Sequence, residues 1–420
     1  MTIRCTDLRC ERLVDPIGLD TRAPRLAWRL EVDDETNVEQ RSFRVETEGG
    51  WAVKEDGWRQ QVTYDGPLQS REAVRWRVRV TTAEGETEWS PWATFEVGIL
   101  DASEWSASMV TATAATPVVR FATPIDVPDD VVTARLRIAS RGIAYASIDG
   151  VDVSDDVLQP GWTSYRTRVA VRTYDVTSQL ASGASELAIT VAPGWFSGPI
   201  GFGGADPIYG RHVGALAQLE LTRADDSLVI VDTDDTWTAS ATPWSLAEIY
   251  DGEAIDARAP IVGEPAKVSV VGDFDPAVLF APAVPPCRRT EELASASWNG
   301  SIVDFGQNLV GWIRLTVRGA APGTEIVLRH AELLDNDGQL FTAPLRLAKA
   351  TDTYIARGDA EETYEPRFTF HGFRYAELHG IDPSQVDVVA VVVHSDLERT
   401  GTFACSEPLL ERLHENVVWG

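Results

Sequence analysis

The sequence predicts an all-β protein: three successive β-sandwich domains followed by a short C-terminal helix. Three observations lead there. Apolar segments of strand length recur along the chain and are closed by Gly, Pro and Asp turns rather than by helical stretches. The 420 residues exceed what one hydrophobic core organises, which gives roughly three domains. Helical periodicity enters only near the C-terminus, where Leu409, Leu410, Leu413 and Val417 share one face.

Residues 1–100 form the first predicted domain. Its clearest strand runs from Val74 to Val80, where Val74, Trp76, Val78 and Val80 alternate with Arg75, Arg77 and Arg79. A period of two, apolar one way and Arg the other, describes a sheet with one wet face. A Glu84-Gly85 turn, the run Trp89-Ser90-Pro91-Trp92 and a last strand near Thr94 to Val97 complete a fibronectin III-like or immunoglobulin-like sandwich. Residues 101–260 form the second domain, with strands at Arg135–Ile138, Ala144–Ile148, Val169–Val171, Leu187–Val191 and Ala217–Leu221 and turns at Asp149-Gly150 and Pro160-Gly161. Many short strands without intervening helices indicate a jelly roll. A stretch with Pro276, Pro282, Pro285 and Pro286 reads as a linker or an edge crossing ahead of the third sandwich, residues 261–400, with strands at Ile326–His330, Asp352–Ile355 and Tyr375–Leu378. Residues 401–420 open a helical segment: Ser406 suits an N-cap, and Glu407 and Pro408 suit the first positions after it. A lone amphipathic helix has nothing to cover its stripe, so the chain reads as the all-β front of a longer protein. No fixed-period repeat is evident.

A formal net charge of −27 argues against nucleic acid or an anionic membrane as partner, since phosphate binding needs clustered cations. Met1-Thr2-Ile3-Arg4 has no apolar run behind its positive charge, and no segment approaches the length of a membrane span. A soluble, cytoplasmic protein is the expectation. Cys5, Cys10, Cys287 and Cys405 are scattered, which gives neither a disulfide framework nor metal-ligand spacing and suits buried free thiols.

Several segments resemble a known family when taken in order. They are Leu8-Arg9-Cys10-Glu11 with Asp15-Pro16-Ile17-Gly18-Leu19-Asp20 and Pro24-Arg25-Leu26-Ala27-Trp28; Leu158-Gln159-Pro160-Gly161-Trp162-Thr163-Ser164-Tyr165; Tyr174-Asp175-Val176-Thr177; and Tyr250-Asp251-Gly252-Glu253. The third block adds Asp304-Phe305-Gly306-Gln307-Asn308-Leu309-Val310-Gly311-Trp312, His330-Ala331-Glu332 and Phe368-Thr369-Phe370-His371-Gly372-Phe373-Arg374-Tyr375. Together they resemble the N-terminal β domains of bacterial α-L-rhamnosidases of the large inverting glycoside hydrolase family. The resemblance implies fibronectin-like, carbohydrate-binding-like and barrel-packing β modules ahead of an (α/α)6 barrel that holds the catalytic carboxylates. Rhamnose-containing glycosides and that barrel would be the partners. The barrel's Asp-Cys-Pro-Gln-Arg run does not occur in these residues, so no catalytic residue is assigned.

An inverting glycosidase needs an acid and a base with carboxyl groups about 6.5–9.5 Å apart. Asp251, Glu253 and Asp256 form one acidic cluster and Asp232, Asp234 and Asp235 another, and both read as solvated turn carboxylates. Asp335-Asn336-Asp337-Gly338 reads as a hairpin turn rather than a calcium loop, since no Glu follows at the required offset. Gly194, Gly198, Gly201, Gly203 and Gly204 make a glycine-rich loop, but Pro207 and Tyr209 stand where a phosphate-binding helix would begin. The same loop carries Trp195, Phe196, Phe202 and Tyr209, the candidate sugar platform; the alternative is that two or more of these rings plug the sandwich end. A calcium-dependent version of this module in relatives would have an acidic or amide pair after Thr-Ser-Tyr, where this chain has Arg166 and Thr167. Ser164 and Ser301 have no spaced His and Asp to form a nucleophilic triad, and the six histidines show no metal-ligand pairing, so neither metal nor cofactor is called. His371 and Arg374 fall on opposite faces of one strand, and a structural His or a contact to the barrel outweighs catalysis. Two functions follow: the non-catalytic β portion of an α-L-rhamnosidase, or a self-standing rhamnose-binding protein.

Overall fold

The computed structural model describes residues 2–33, 38–201 and 207–419. In the first domain a three-stranded sheet (Ile3–Cys10, Arg25–Val32, Gln61–Thr63) faces a five-stranded one built around Ala73–Thr82. The alternation read from Val74 to Val80 is what places it: Trp76, Val78 and Val80 point inward against Leu26, Trp28, Phe43 and Phe95. Cys5 and Cys10 are buried thiols in that core.

The second domain is a sandwich of a six-stranded and a seven-stranded sheet. Its core is mostly aliphatic, with Leu136, Leu187 and Leu219 fully buried between the layers beside Phe121 and Trp237. The third domain is one ten-stranded sheet folded over itself, made possible by the strand Ile302–Arg318. Residues up to Gly311 pair with His371–His379, while Gly311 onward pairs with Val386–Ser395, so one strand serves both edges. Gly311 is required there, because a Cβ would lie 1.9 Å from the Val391 carbonyl oxygen. The register slips between Asp304 and Leu309, which makes the Phe305–Asn308 segment a bulge.

The domain boundary differs from the expected one. Trp244–Glu248 and Gly252–Asp256 form a hairpin that joins the third sheet, the second of these strands running parallel to Thr351–Ile355. The chain then returns: Pro265–Ala266, Val268–Val270 and Leu279–Phe280 pair with strands of the second domain before Cys287–Ala294 enters the third. Of the two readings of the Pro-rich stretch, the edge crossing holds for Leu279–Phe280, which pairs with Val169–Ala170 of the second sandwich. A shared apolar cluster of Ile143, Tyr145, Trp244, Trp312 and Phe368 joins the two domains.

The C-terminal helix is present as Pro408–Trp419. Its first turn is capped by Glu407, whose side chain accepts from the Leu409 amide, rather than by Ser406. None of its residues is buried, and Leu409, Leu413 and Val417 are 77%, 57% and 68% exposed. Arg399 pairs with Glu415, and Phe403 lies against His414, which fastens the helix to its own approach segment.

Candidate functional site

The glycine-borne rings divide between two environments. Gly194–Ser197 forms a single helical turn, entered through Gly194 at φ +49, where a Cβ would press on Ile143. Phe196 is turned inward, 5% exposed, and meets Tyr165 edge-on at 5.2 Å; Tyr165 meets Tyr209 at 5.1 Å. With Phe274 these rings line a cavity of about 570 Å³ that also receives Arg141, His212 and Asp273. Trp195, half-buried, packs both against this ring cluster and against the cluster shared with the third domain, where it meets Phe370 at 6.4 Å. Phe202 lies outside the described residues. So Phe196 and Tyr209 share a cavity, and Trp195 is not part of its lining. Arg166, at the place of the expected calcium ligand, donates to the Ile208 carbonyl.

The acidic cluster around Glu253 differs from its reading as a set of solvated turn carboxylates. Asp251 pairs with Lys349 and Asp256 with Arg258, both near solvent, but Glu253 is fully buried on a strand. Its carboxylate receives four donors: Trp244 Nε1, Tyr364 Oη and the amides of Arg367 and Phe368. Burial, then the neighbouring Asp352, pushes it up to about 7 against those donors. The Asp-Gly signal was correctly a turn, but the residue after it enters the core.

Beside it the sheet assembles three groups that sequence spacing kept apart. His330, Asp352 and His371 are each at most 4% exposed, and their ligand-type atoms lie within 4.8 Å of one another. His371 Nε2 is 3.1 Å from both Asp352 oxygens, and the two imidazoles stack at 4.2 Å. Burial, then His371, pushes His330 down to about 3. Burial alone would raise Asp352, but His371 and His330 together hold it below the usual carboxylate range. The residues are separated in sequence and adjacent only across three strands, so spacing could not find them; the apolar and polar alternation of Glu325–Ala331 was the one available signal.

The remaining motifs are structural. Asp304 accepts from the Gly306 amide and takes a bidentate pair from Arg374, which ties the bulge to the His371–His379 strand. Asp335 accepts from the amides of Asp337 and Gln339, closing a turn as expected. Asp234 caps the turn before Trp237 in the same way. These features define a multidomain β-sandwich protein.

Comparison with known proteins specifies it further. The chain matches the Rha78A-like N-terminal immunoglobulin domain over residues 5–101, the alpha-L-rhamnosidase N-terminal domain over 129–291, and the bacterial alpha-L-rhamnosidase concanavalin-like domain over 296–394. By these three domains, which span most of its length, the chain belongs to the α-L-rhamnosidase glycoside hydrolase family. It is 32% identical to an α-L-rhamnosidase of Alteromonas sp. over 98% of this chain and 49% of that protein. Among solved structures, native α-L-rhamnosidase from Aspergillus terreus superposes with a TM-score of 0.91 at 36% identity, covering 100% of this chain and 52% of the other. The Streptomyces avermitilis enzyme complexed with L-rhamnose gives a TM-score of 0.82 at 26% identity, over 100% of this chain and 60% of that one. The chain thus spans about half the length of the Alteromonas protein.

Proposed function

We propose that this chain is the non-catalytic β portion of an α-L-rhamnosidase, which braces a helical catalytic domain and helps shape the approach to its active site. The observation that carries this is coverage: nearly all of this chain aligns with only 49% of its Alteromonas relative. The acidic residues singled out from the sequence support it. Glu253 is sealed in the core, and Asp251 and Asp256 are taken up by ion pairs, whereas inversion needs an acid and a base facing one sugar at about 6.5–9.5 Å. The exposed apolar stripe of Pro408–Trp419 is a surface for such a domain to cover. Removal of terminal α-L-rhamnosyl groups, by inversion, would belong to the whole protein. Reading the gene past the Gly420 codon tests this: the coding frame should continue into a helical segment with its own carboxylates, and a stop codon there would overturn it.

One feature favours a second reading, a self-standing rhamnose-binding protein. The ring-lined cavity beside Tyr165 and Tyr209 has the size and the aromatic walls that suit the apolar face of a deoxy sugar. L-Rhamnose should then shift the NMR signals of the Tyr165 and Tyr209 rings with a Kd near millimolar, roughly 4 kcal/mol, and Tyr209→Ala should weaken it. A chelator should change nothing, since Arg166 occupies the ligand position. Absence of a saturable response in folded protein would leave the second domain as a brace.

A further inference from the structure

His330, Asp352 and His371 stand on the neighbouring strands Glu325–Ala331, Thr351–Ile355 and His371–His379, with the His330 strand between the other two. The Ala350 carbonyl oxygen lies 3.0 Å from His330 Nδ1. A carbonyl only accepts, so Nδ1 carries the proton and Nε2 holds a free lone pair. That nitrogen is buried, has no hydrogen-bond partner, and sits 3.9 Å from Asp352 Oδ2. Buried polar atoms without partners are rare in folded proteins, and this one is aimed at a carboxylate that is itself an acceptor. Two buried acceptors thus face each other with no donor hydrogen between them.

We infer that His330 Nε2, Asp352 and His371 Nε2 form a buried structural site for a divalent transition-metal ion of the zinc class. Two imidazoles and one carboxylate suit Zn2+ or Co2+, whereas calcium and magnesium prefer all-oxygen shells. Donors around a tetrahedral zinc are ~3.3 Å apart, and the pair formed by His371 and Asp352 is already at 3.1 Å. The outer contacts are also in place: the Ala350 carbonyl orients His330, and the Glu253 amide donates to Asp352 Oδ1. On binding, the proton shared between His371 Nε2 and Asp352 leaves, both imidazoles and the carboxylate donate to the ion, and a solvent-derived ligand completes four-coordination. The ion would pin three strands of the third sheet together, and because all three ligands are enclosed it would enter as the domain folds.

The test is to produce the chain in medium supplemented with Zn2+ or Co2+ and to measure metal after gel filtration in the presence of a mild chelator. Wild type should retain one ion per chain, with the intense visible bands of tetrahedral Co2+, and His330→Gln should retain at least tenfold less. Retention no greater in wild type than in His330→Gln would overturn the inference. Should that variant fail to fold, the Co2+ spectrum of wild type decides alone: weak bands of an octahedral ion on surface carboxylates would equally overturn it, leaving a hydrogen-bonded cluster.

Discussion

Glu248 shows what a single buried carboxyl does to the whole chain. Its Oε2 is enclosed without a hydrogen-bond partner, and burial, then Asp251, pushes it up to about 7. A carboxyl whose folded value lies above its unfolded value, about 4.3, favours folding in its neutral form. The favourable contribution is complete below about pH 4.3 and is lost as pH rises toward 7. Glu253 titrates in the same window. The expected outcome is a lower thermal midpoint at pH 8 than at pH 5.5, with the difference reduced in Glu248→Gln; an unchanged difference would show that Glu248 is solvated. Asp304 acts oppositely, since its hydrogen bonds from Arg374 hold it low and their stabilisation fades only in acid. Little of this was legible from the sequence. Asp251-Gly252-Glu253 carries a correct turn signal, but Glu253 meets Arg367 and Phe368 more than a hundred residues on, and only the folded sheet sets that distance.

At the scale of elements, the strand Ala73–Thr82 was legible because its alternation is strict. Its outward face proved richer than a wet face. Arg77 stacks on Trp89 at 4.6 Å and on Trp92 at 4.5 Å, and Arg79 stacks on Trp89 at 4.7 Å, while Glu46 pairs with Arg77. The run Trp89-Ser90-Pro91-Trp92 thus lays two indoles across the arginine ladder. Each such contact is worth about 0.5–1 kcal/mol at a half-exposed site, so Trp89→Ala should cost roughly 1–2 kcal/mol in urea unfolding. A loss below about 0.3 kcal/mol would mean the stack only covers the sheet. The strand Ile302–Arg318 was less legible, because a strand that bulges after Asp304 and changes partner at Gly311 breaks the period that would reveal it.

For the molecule as a whole, three sandwiches were readable from turn chemistry and length, but their interlocking was not. The hairpin Trp244–Asp256 lies between segments of the second domain in sequence, yet it belongs to the third sheet, and no local pattern reports which sheet a short strand joins. Tyr145 shows the resulting coupling: its hydroxyl donates to the Arg367 carbonyl of the third domain and accepts from the Leu158 amide of the second. Tyr145→Phe leaves both groups unpaired and should cost about 1–3 kcal/mol while lowering the unfolding midpoints of both domains together. A midpoint change confined to one domain would show that they are energetically independent.

As proposed, this chain is the β framework of a rhamnosidase whose chemistry belongs to another part of the protein. The most direct test is the hydrolysis of an aryl α-L-rhamnoside by purified chain beside the full product of its gene, at equal molar concentration. The account predicts turnover by the full product and none by the 420-residue chain. Activity that follows the peak of the isolated chain through repurification would contradict it.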